Sequence, residues 1–244
     1  MKSVSKTRRL VLRFTKVILA GVALGLTYQN CSSVKFVPEE IASVQSPSGD
    51  PEVVCDPFSS GSACAEAGAG LLGNVYYLPD AIGSVQEYID RGTKLNILVQ
   101  LTNLNIPQRS WTDGFPGGTG VIKDPSGGDL IEYFALDLKG YLKLNGNQPE
   151  GDYQFAIASD DGAIFDLDGR EIVNNDGRHS VTWACSKAPV NLRTNVIHQM
   201  RLRYYQGPRV MIALQVFYRP ASESGRPCGE NGNFKILPAE ILYH

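Results

Sequence analysis

The sequence predicts an all-β protein, an antiparallel β-sandwich behind an N-terminal signal segment and a flexible tether. Three observations carry this reading. From residue 72 onward, short apolar or alternating runs recur, separated by Gly, Asn, Asp and Pro, the pattern of strands joined by turns. Helical periodicity is sparse and confined to a turn or two over 84–90. The first 70 residues differ from the rest, with a basic start, one apolar run and then a stretch rich in Ser, Pro, Gly, Ala and Glu.

Residues 1–30 carry Lys2, Lys6, Arg8, Arg9, Arg13 and Lys16 and no acid, ahead of the apolar run 17–26. A run of about ten apolar residues suits the core of a signal peptide and falls short of the ~20 needed to span a bilayer. The competing reading is an uncleaved N-terminal membrane helix. Cys31 follows at the distance of a lipidated cysteine. Thr27-Tyr-Gln-Asn-Cys31 departs from the common bacterial lipobox at Tyr28 and Asn30, and resembles the Gln-Asn-Cys signals of some predatory bacteria. Ser32 is similar to the outer-membrane default. The expected division is a signal peptide over 1–30, a lipidated Cys31 and tether over 31–70, and one folded domain over 71–244. The expected location is the cell envelope, as an outer-membrane lipoprotein or at the cell surface, with the membrane reached through the lipid.

Charge is segregated along the chain. Without the six basic residues of the signal, 17 Lys and Arg face 25 Asp and Glu. So acidic a domain excludes nucleic acid as a partner, since phosphate binding needs clustered Lys and Arg. Four cysteines remain beside Cys31: Cys55, Cys64, Cys185 and Cys228. An even number in an exported chain implies two disulfides with three pairings. Sequence proximity favours Cys55 with Cys64, leaving Cys185 with Cys228. No Cys-x-x-Cys is present, so neither a zinc site nor a thioredoxin-like motif is indicated.

Within the domain, strands are expected over 74–78, 94–101, 131–138, 141–144 and 152–159, the last with Tyr153, Phe155 and Ile157 on one face. Over 196–205, Val196, His198, Met200, Leu202 and Tyr204 share one face, with Gln199, Arg201 and Arg203 opposite. Residues 209–218 follow across Gln206-Gly-Pro208, and the pair is expected to form an antiparallel hairpin. Short strands over 234–237 and 241–243 close the domain.

The most informative stretch runs from 150 to 179. A strand ends in Asp160-Asp161-Gly162, another short strand follows, and Asp168-Gly169 offers a type I′ turn because both positions accept positive φ. Asp176-Gly177 is expected to repeat the device. This succession of Gly-x-Tyr-x-Phe, Ser-Asp-Asp-Gly, a hydrophobic strand, Asp-Gly, an Asn-rich turn and His179 resembles the protective-antigen-type (PA14) domain. That is a lectin-like β-sandwich found in toxins, flocculins and bacterial surface proteins. The likeness extends to Gly73-Asn-Val-Tyr76-Tyr77 at the start and Phe234-Lys-Ile-Leu-Pro238 near the end.

The resemblance implies binding rather than catalysis, often of carbohydrate through Ca²⁺. It places Asp160 and Asp161 as metal ligands with a cis peptide between them. Such chemistry is sensible: adjacent carboxylates repel unless a cation neutralises them, and Ca²⁺ takes six to eight oxygens, leaving positions for sugar hydroxyls. The plainer reading is that Asp160, Asp161 and Asp168 bond turn amides. The family's second binding loop would correspond to 221–233, which offers Glu223, Glu230, Asn231 and Asn233 as ligand-binding residues. A Cys185–Cys228 bridge would fasten that loop, expected at the same end as Asp160. Trp111, Trp183 and Tyr205 are the aromatic residues on which a sugar could stack.

An enzyme is not indicated. The three histidines are His179, His198 and His244, and no nucleophile elbow, His-Glu-x-x-His or phosphate loop occurs. The expected function is a surface-anchored, lectin-like module for Ca²⁺-dependent carbohydrate recognition or adhesion, its partner a glycan or cell-surface ligand. The alternative is a metal-independent structural or protein-interaction module of the envelope.

Overall fold

A computed structural model describes residues 49–59, 64, 68–79, 83–208 and 211–244. The signal segment, Cys31 and the tether up to residue 48 lie outside the described residues. In chain order the described elements are β1 (Glu52–Cys55), β2 (Leu71–Tyr77), α1 (Val85–Arg91), β3 (Thr93–Leu101), β4 (Asn105–Ser110), β5 (Pro116–Gly117), β6 (Gly120–Val121), β7 (Phe134–Leu142) and β8 (Gly151–Asp160). There follow β9 (Ala163–Leu167), β10 (Arg170–Asn175), β11 (Thr182–Cys185), β12 (Val190–Leu192), β13 (His198–Gln206), β14 (Met211–Pro220), β15 (Lys235–Ile236) and β16 (Leu242–Tyr243). No helix among the described residues is long and apolar enough to cross a membrane.

The strands form the two layers of a sandwich. The larger sheet has the order β1-β3-β2-β7-β13-β9-β10, with β16 also on β7. The smaller has the order β11-β8-β14-β15, with β12 on β8 and β4 on β14. Period-two alternation builds the core between them. Tyr153, Phe155 and Ile157 of β8 are buried in one cluster with Leu136 and Leu138 of β7 and Leu202 and Tyr204 of β13. Phe155 meets Phe165 of β9 edge-on across the layers at 5.2 Å. On β13, His198, Met200, Leu202 and Tyr204 are buried as the alternation predicts, while Val196 precedes the strand and is exposed.

Three sequence expectations are corrected. First, β13 and β14 are not a hairpin; they lie in different sheets. β13 already pairs along both edges, with β7 and with β9, so no edge is left for β14. Alternation cannot distinguish strands that pair from strands that face each other across a core. Second, Asp176-Gly177 is not a hairpin turn. Gly177 has φ +127° while Asp176 is not in the left-handed region, and the chain passes there from β10 in one sheet to β11 in the other. Asp168-Gly169 does form the expected turn, with φ +51° and +73°, and Leu167 faces Arg170 across it.

Third, the tether does not reach residue 70. β1 pairs with β3 from Glu52↔Ile97 to Cys55↔Gln100, a parallel pair at the edge of an otherwise antiparallel sheet. Val54 and Phe58 enter the core. Asp56 accepts the Thr102 amide at 2.9 Å, and Cys55 is bridged to Cys64. Two apolar residues in a Pro- and Ser-rich setting are too few to register as a period. Phe58 packs edge-on against Trp111 at 4.9 Å and Phe115 at 5.7 Å. Phe58→Ala is therefore expected to destabilise the domain by about 3–5 kcal/mol, read as a lowered urea midpoint at unchanged slope. A loss under about 1 kcal/mol would return this segment to the tether.

Candidate functional site

The site lies where the chain crosses between sheets. β8 ends at Asp160 in the smaller sheet and β9 begins at Ala163 in the larger, with a cis peptide joining Asp160 to Asp161. Gly162 is required by space: a Cβ there would stand 2.5 Å from the Tyr205 ring and 2.7 Å from both Asp176 Oδ1 and the Gly177 amide. Two further crossings meet this one. The loop from β10 to β11 brings His179, whose amide donates to Asp161 Oδ1 at 3.1 Å. The loop from β13 to β14 brings Gly207, whose amide donates to Asp161 Oδ2 at 2.8 Å. A Cβ on Gly207 would stand 2.9 Å from that same oxygen.

Below the aspartates, the buried Tyr204 hydroxyl lies 2.6 Å from the Asp160 carbonyl and 2.7 Å from Gln206 Oε1. Gln206 is oriented by donating its amide to the Met211 carbonyl at 2.9 Å. Asp176 holds the neighbouring helix: its carboxylate accepts the Val85 amide at 2.9 Å and the Ser84 hydroxyl at 3.0 Å. This is the favourable placement of an anion at a helix N-terminus.

Both carboxylates are buried, and the cost appears in their protonation. Burial pushes the Asp160 carboxyl up to about 6, the neighbouring Asp161 charge adds to the rise, and His179, Gln108 and the Val181 amide oppose it. Burial also raises Asp161, against the hydrogen bonds from Gly207 and His179. No Lys or Arg among the described residues forms an ion pair with either aspartate. No cluster of three or more His, Cys, Asp or Glu side chains among the described residues is arranged to hold a metal. The site therefore offers two buried carboxylates held by loop dipoles, with the charges of His179 and Arg178 nearby but with no Lys or Arg of the described residues ion-paired to either.

The profile of the PA14 domain family matches residues 87–229. The chain belongs to the PA14 domain family. Among solved structures, the PA14 domain of the MpAFP antifreeze protein is similar at 18% identity with a TM-score of 0.53, over 76% of this chain and 96% of that one. The PA14 sugar-binding domain of an RTX adhesin is similar at 18% identity with a TM-score of 0.47, over 73% and 99%. An Epithelial Adhesin A domain of Candida glabrata, in complex with Galb1-3GlcNAc, is similar at 15% identity with a TM-score of 0.42, over 81% and 98%. No curated protein sequence matches.

In this PA14 domain the expected second loop does not reach the aspartates. β14 runs antiparallel to β8, so its first residues lie beside Asp160 (Ala213↔Asp160) and its last beside Tyr153 (Pro220↔Tyr153). Residues 221–233 thus leave the sheet seven positions away, roughly 23 Å along the strand. Glu230 and Asn231 lie there in a 3₁₀ turn, and Asn233 donates to Glu223. The Cys185–Cys228 bridge is formed. It fastens the loop beside Ala156 rather than beside Asp160. Buried Arg219 anchors the same loop through the Gly232 carbonyl at 2.5 Å and the Pro227 carbonyl at 3.2 Å. The register therefore does not bring Glu230, Asn231 and Asn233 together with Asp160 and Asp161.

The aromatic expectations also change. Trp111 and Tyr205 are buried at 1% exposure each, so neither can receive a sugar face. Trp183 stacks on Phe217 at 4.3 Å on the outer face of the smaller sheet. His198 is a packed residue bonded to Asp168 at 2.7 Å. The elements that do surround Asp160 and Asp161 are Gln108 of β4, the amides of His179 and Val181, and the 206–207 turn. Only Gly207, preceding a Pro, carries a sequence sign of close approach.

A carboxyl raised toward 6 favours the folded state when protonated. That stability is present in acid and lost as pH rises from the ordinary Asp range through about 6. Asp160→Asn is expected to raise the melting temperature at pH 7 in chelator, by about 2–4 °C per kcal/mol relieved, and to have little effect below pH 4. A fall at pH 7 would show that the Asp160 charge is compensated.

Proposed function

We propose that this PA14 domain is a carbohydrate-binding module that acts outside the cytoplasm, and that its ligand is held through Ca²⁺ at Asp160 and Asp161. One observation carries the reading: two adjacent buried carboxylates, both raised by burial, with no Lys or Arg of the described residues ion-paired to either. A buried charge pair of one sign persists where a cation neutralises it. Carboxylate oxygens are the hard donors that Ca²⁺ prefers, and two carboxylates leave coordination positions for sugar hydroxyls. The residues thus fit the ion, with Asp160 and Asp161 holding it and the His179 and Gly207 amides fixing the angle of Asp161. The ion's contribution is to fix the hydroxyls of a sugar at the mouth of the site.

The two disulfides fit an oxidising compartment. Anchorage through a lipid on Cys31 at the outer membrane or cell surface belongs to the same proposal, as does a binding rather than catalytic role. The metal-independent module is the second reading. It is favoured by Asp161, whose two oxygens already accept amides that join three loops.

Calorimetric titration of Ca²⁺ into chelator-stripped protein separates the two. Dissociation constants of about 10⁻⁶ to 10⁻³ M are expected at pH 7.5, lost in Asp160→Asn and Asp161→Asn. Affinity is expected to fall as pH drops through about 6, because protons then compete for Asp160. A glycan array read in Ca²⁺ and in EDTA should give hits only with the metal. Absence of Ca²⁺ heat would leave the aspartates as turn residues and favour the second reading.

A further inference from the structure

Helix α1 covers only half of the outer face of the larger sheet. Its Val85 and Tyr88 pack on Ala135, Ile164 and Tyr205. The other half is an open groove. Register places Lys139 beside Arg201 and Arg201 beside Asp166, with Tyr141 between Gln199 and Tyr243. Two hollows of about 750 Å³ and 700 Å³ run along it and share Tyr141. Lys139 and Tyr141 alternate onto this outer face, and Lys143, just past the end of β7, lines the second hollow. Four residues of strand put the lysines about 13 Å apart. Tyr141 is 44% and Tyr243 38% exposed, and both are among the few large apolar side chains of the described residues left in solvent.

The charge here runs against the domain as a whole. Residues 49–244 carry 16 Lys and Arg against 23 Asp and Glu. In the groove, the buried Asp137 carboxylate is taken by Arg201 through two bonds of 2.5 and 3.1 Å, and Asp166 by Arg203 at 2.6 Å. Among the described residues, Lys139 reaches only the already paired Asp137, at 3.7 Å with its own side chain 63% exposed. Lys143 has no ion-pair partner among the described residues. Arg203 keeps a buried Nε without an acceptor. Two cations are thus left over, one on each side of an exposed tyrosine.

We propose that this groove binds an acidic saccharide, a chain of carboxylate-bearing sugars whose ring faces rest on Tyr141 and Tyr243 and whose carboxylates meet Lys139 and Lys143. Aromatic faces suit the apolar face of a sugar ring, and ammonium groups suit its carboxylates. A peptide is a poorer occupant. β7 is paired along both edges, by β13 on one side and by β2 and β16 on the other, so no main-chain edge is free for an added strand. Nucleic acid is disfavoured by the acidity of the rest of the domain.

The test is calorimetric titration of the full chain with oligogalacturonate in EDTA, beside its neutral methyl ester and single-stranded DNA. The EDTA separates this site from the Ca²⁺ proposal, so either can fail alone. Oligogalacturonate is expected to bind, and the ester about tenfold more weakly or worse. Tyr141→Ala and the double variant Lys139→Gln, Lys143→Gln should each lose about tenfold or more, with melting curves unchanged because all three side chains are exposed. Lys187→Gln, which removes a lysine from the β11–β12 loop of the other sheet, should bind as the parent does. The proposal is overturned if the oligogalacturonate gives no heat or if the ester or DNA binds equally. It is also overturned if folded groove variants retain full affinity.

Discussion

The carboxylate of Asp161 is the junction on which one end of this molecule depends. Three times the chain passes between the sheets there: from β8 to β9, from β10 to β11 and from β13 to β14. Asp161 sits on the first crossing and accepts the amides of His179 on the second and Gly207 on the third. Charge-assisted bonds to buried amides are stronger than neutral ones and costly to leave unmade. The two glycines follow from the same constraint, since side chains at Gly162 or Gly207 would push the loops off the carboxylate. Closing the sandwich and building the site are thus one local solution.

That solution divides labour between two neighbouring residues. Asp161 spends its oxygens on loop amides. Asp160 is bonded from Gln108 and Val181 and is raised further toward neutrality by its neighbour. A structural network would be expected to end in compensated charge, because a half-satisfied buried network is worse than an apolar one. A buried carboxyl raised by its neighbour's charge at Asp160 is what distinguishes this arrangement from an ordinary turn.

The central motif was legible because it is local. Residues 151–169 carry strand alternation, the paired aspartates and a turn of positive φ within one short stretch, and each survives in the structure. What could not be read was the assignment of strands to sheets. β13 and β14 alternate as a hairpin would, yet the core lies between them. The error carried into the site: taking 221–233 as a neighbour of Asp160 ignores that β14 starts at the site and leaves it. Exposure was equally hidden, since nothing near Trp111 or Tyr205 in sequence reveals that Phe58 packs edge-on against the one and Tyr88 stacks on the other. The short β1 was lost because a four-residue edge strand gives no period to detect.

The groove on the larger sheet was half visible in the alternation of Gln199, Arg201 and Arg203, which predicts a solvated polar face. The structure makes it less ordinary. A solvated face keeps its carboxylates in water, whereas Asp137 is sunk to 4% side-chain exposure beneath Arg201 and Lys139. Burying the acids while leaving lysines and tyrosines in solvent turns a charge-balanced ladder into a positive surface on an acidic domain. It lies about 13–20 Å along β13 from the aspartates, whose potential has the opposite sign. Salt of physiological strength screens over about 8 Å, so the charge of one surface is largely screened from the other. An ion held at the aspartates would lower the domain's negative charge without touching the groove. The two sites are thus coupled weakly through charge and share no residue.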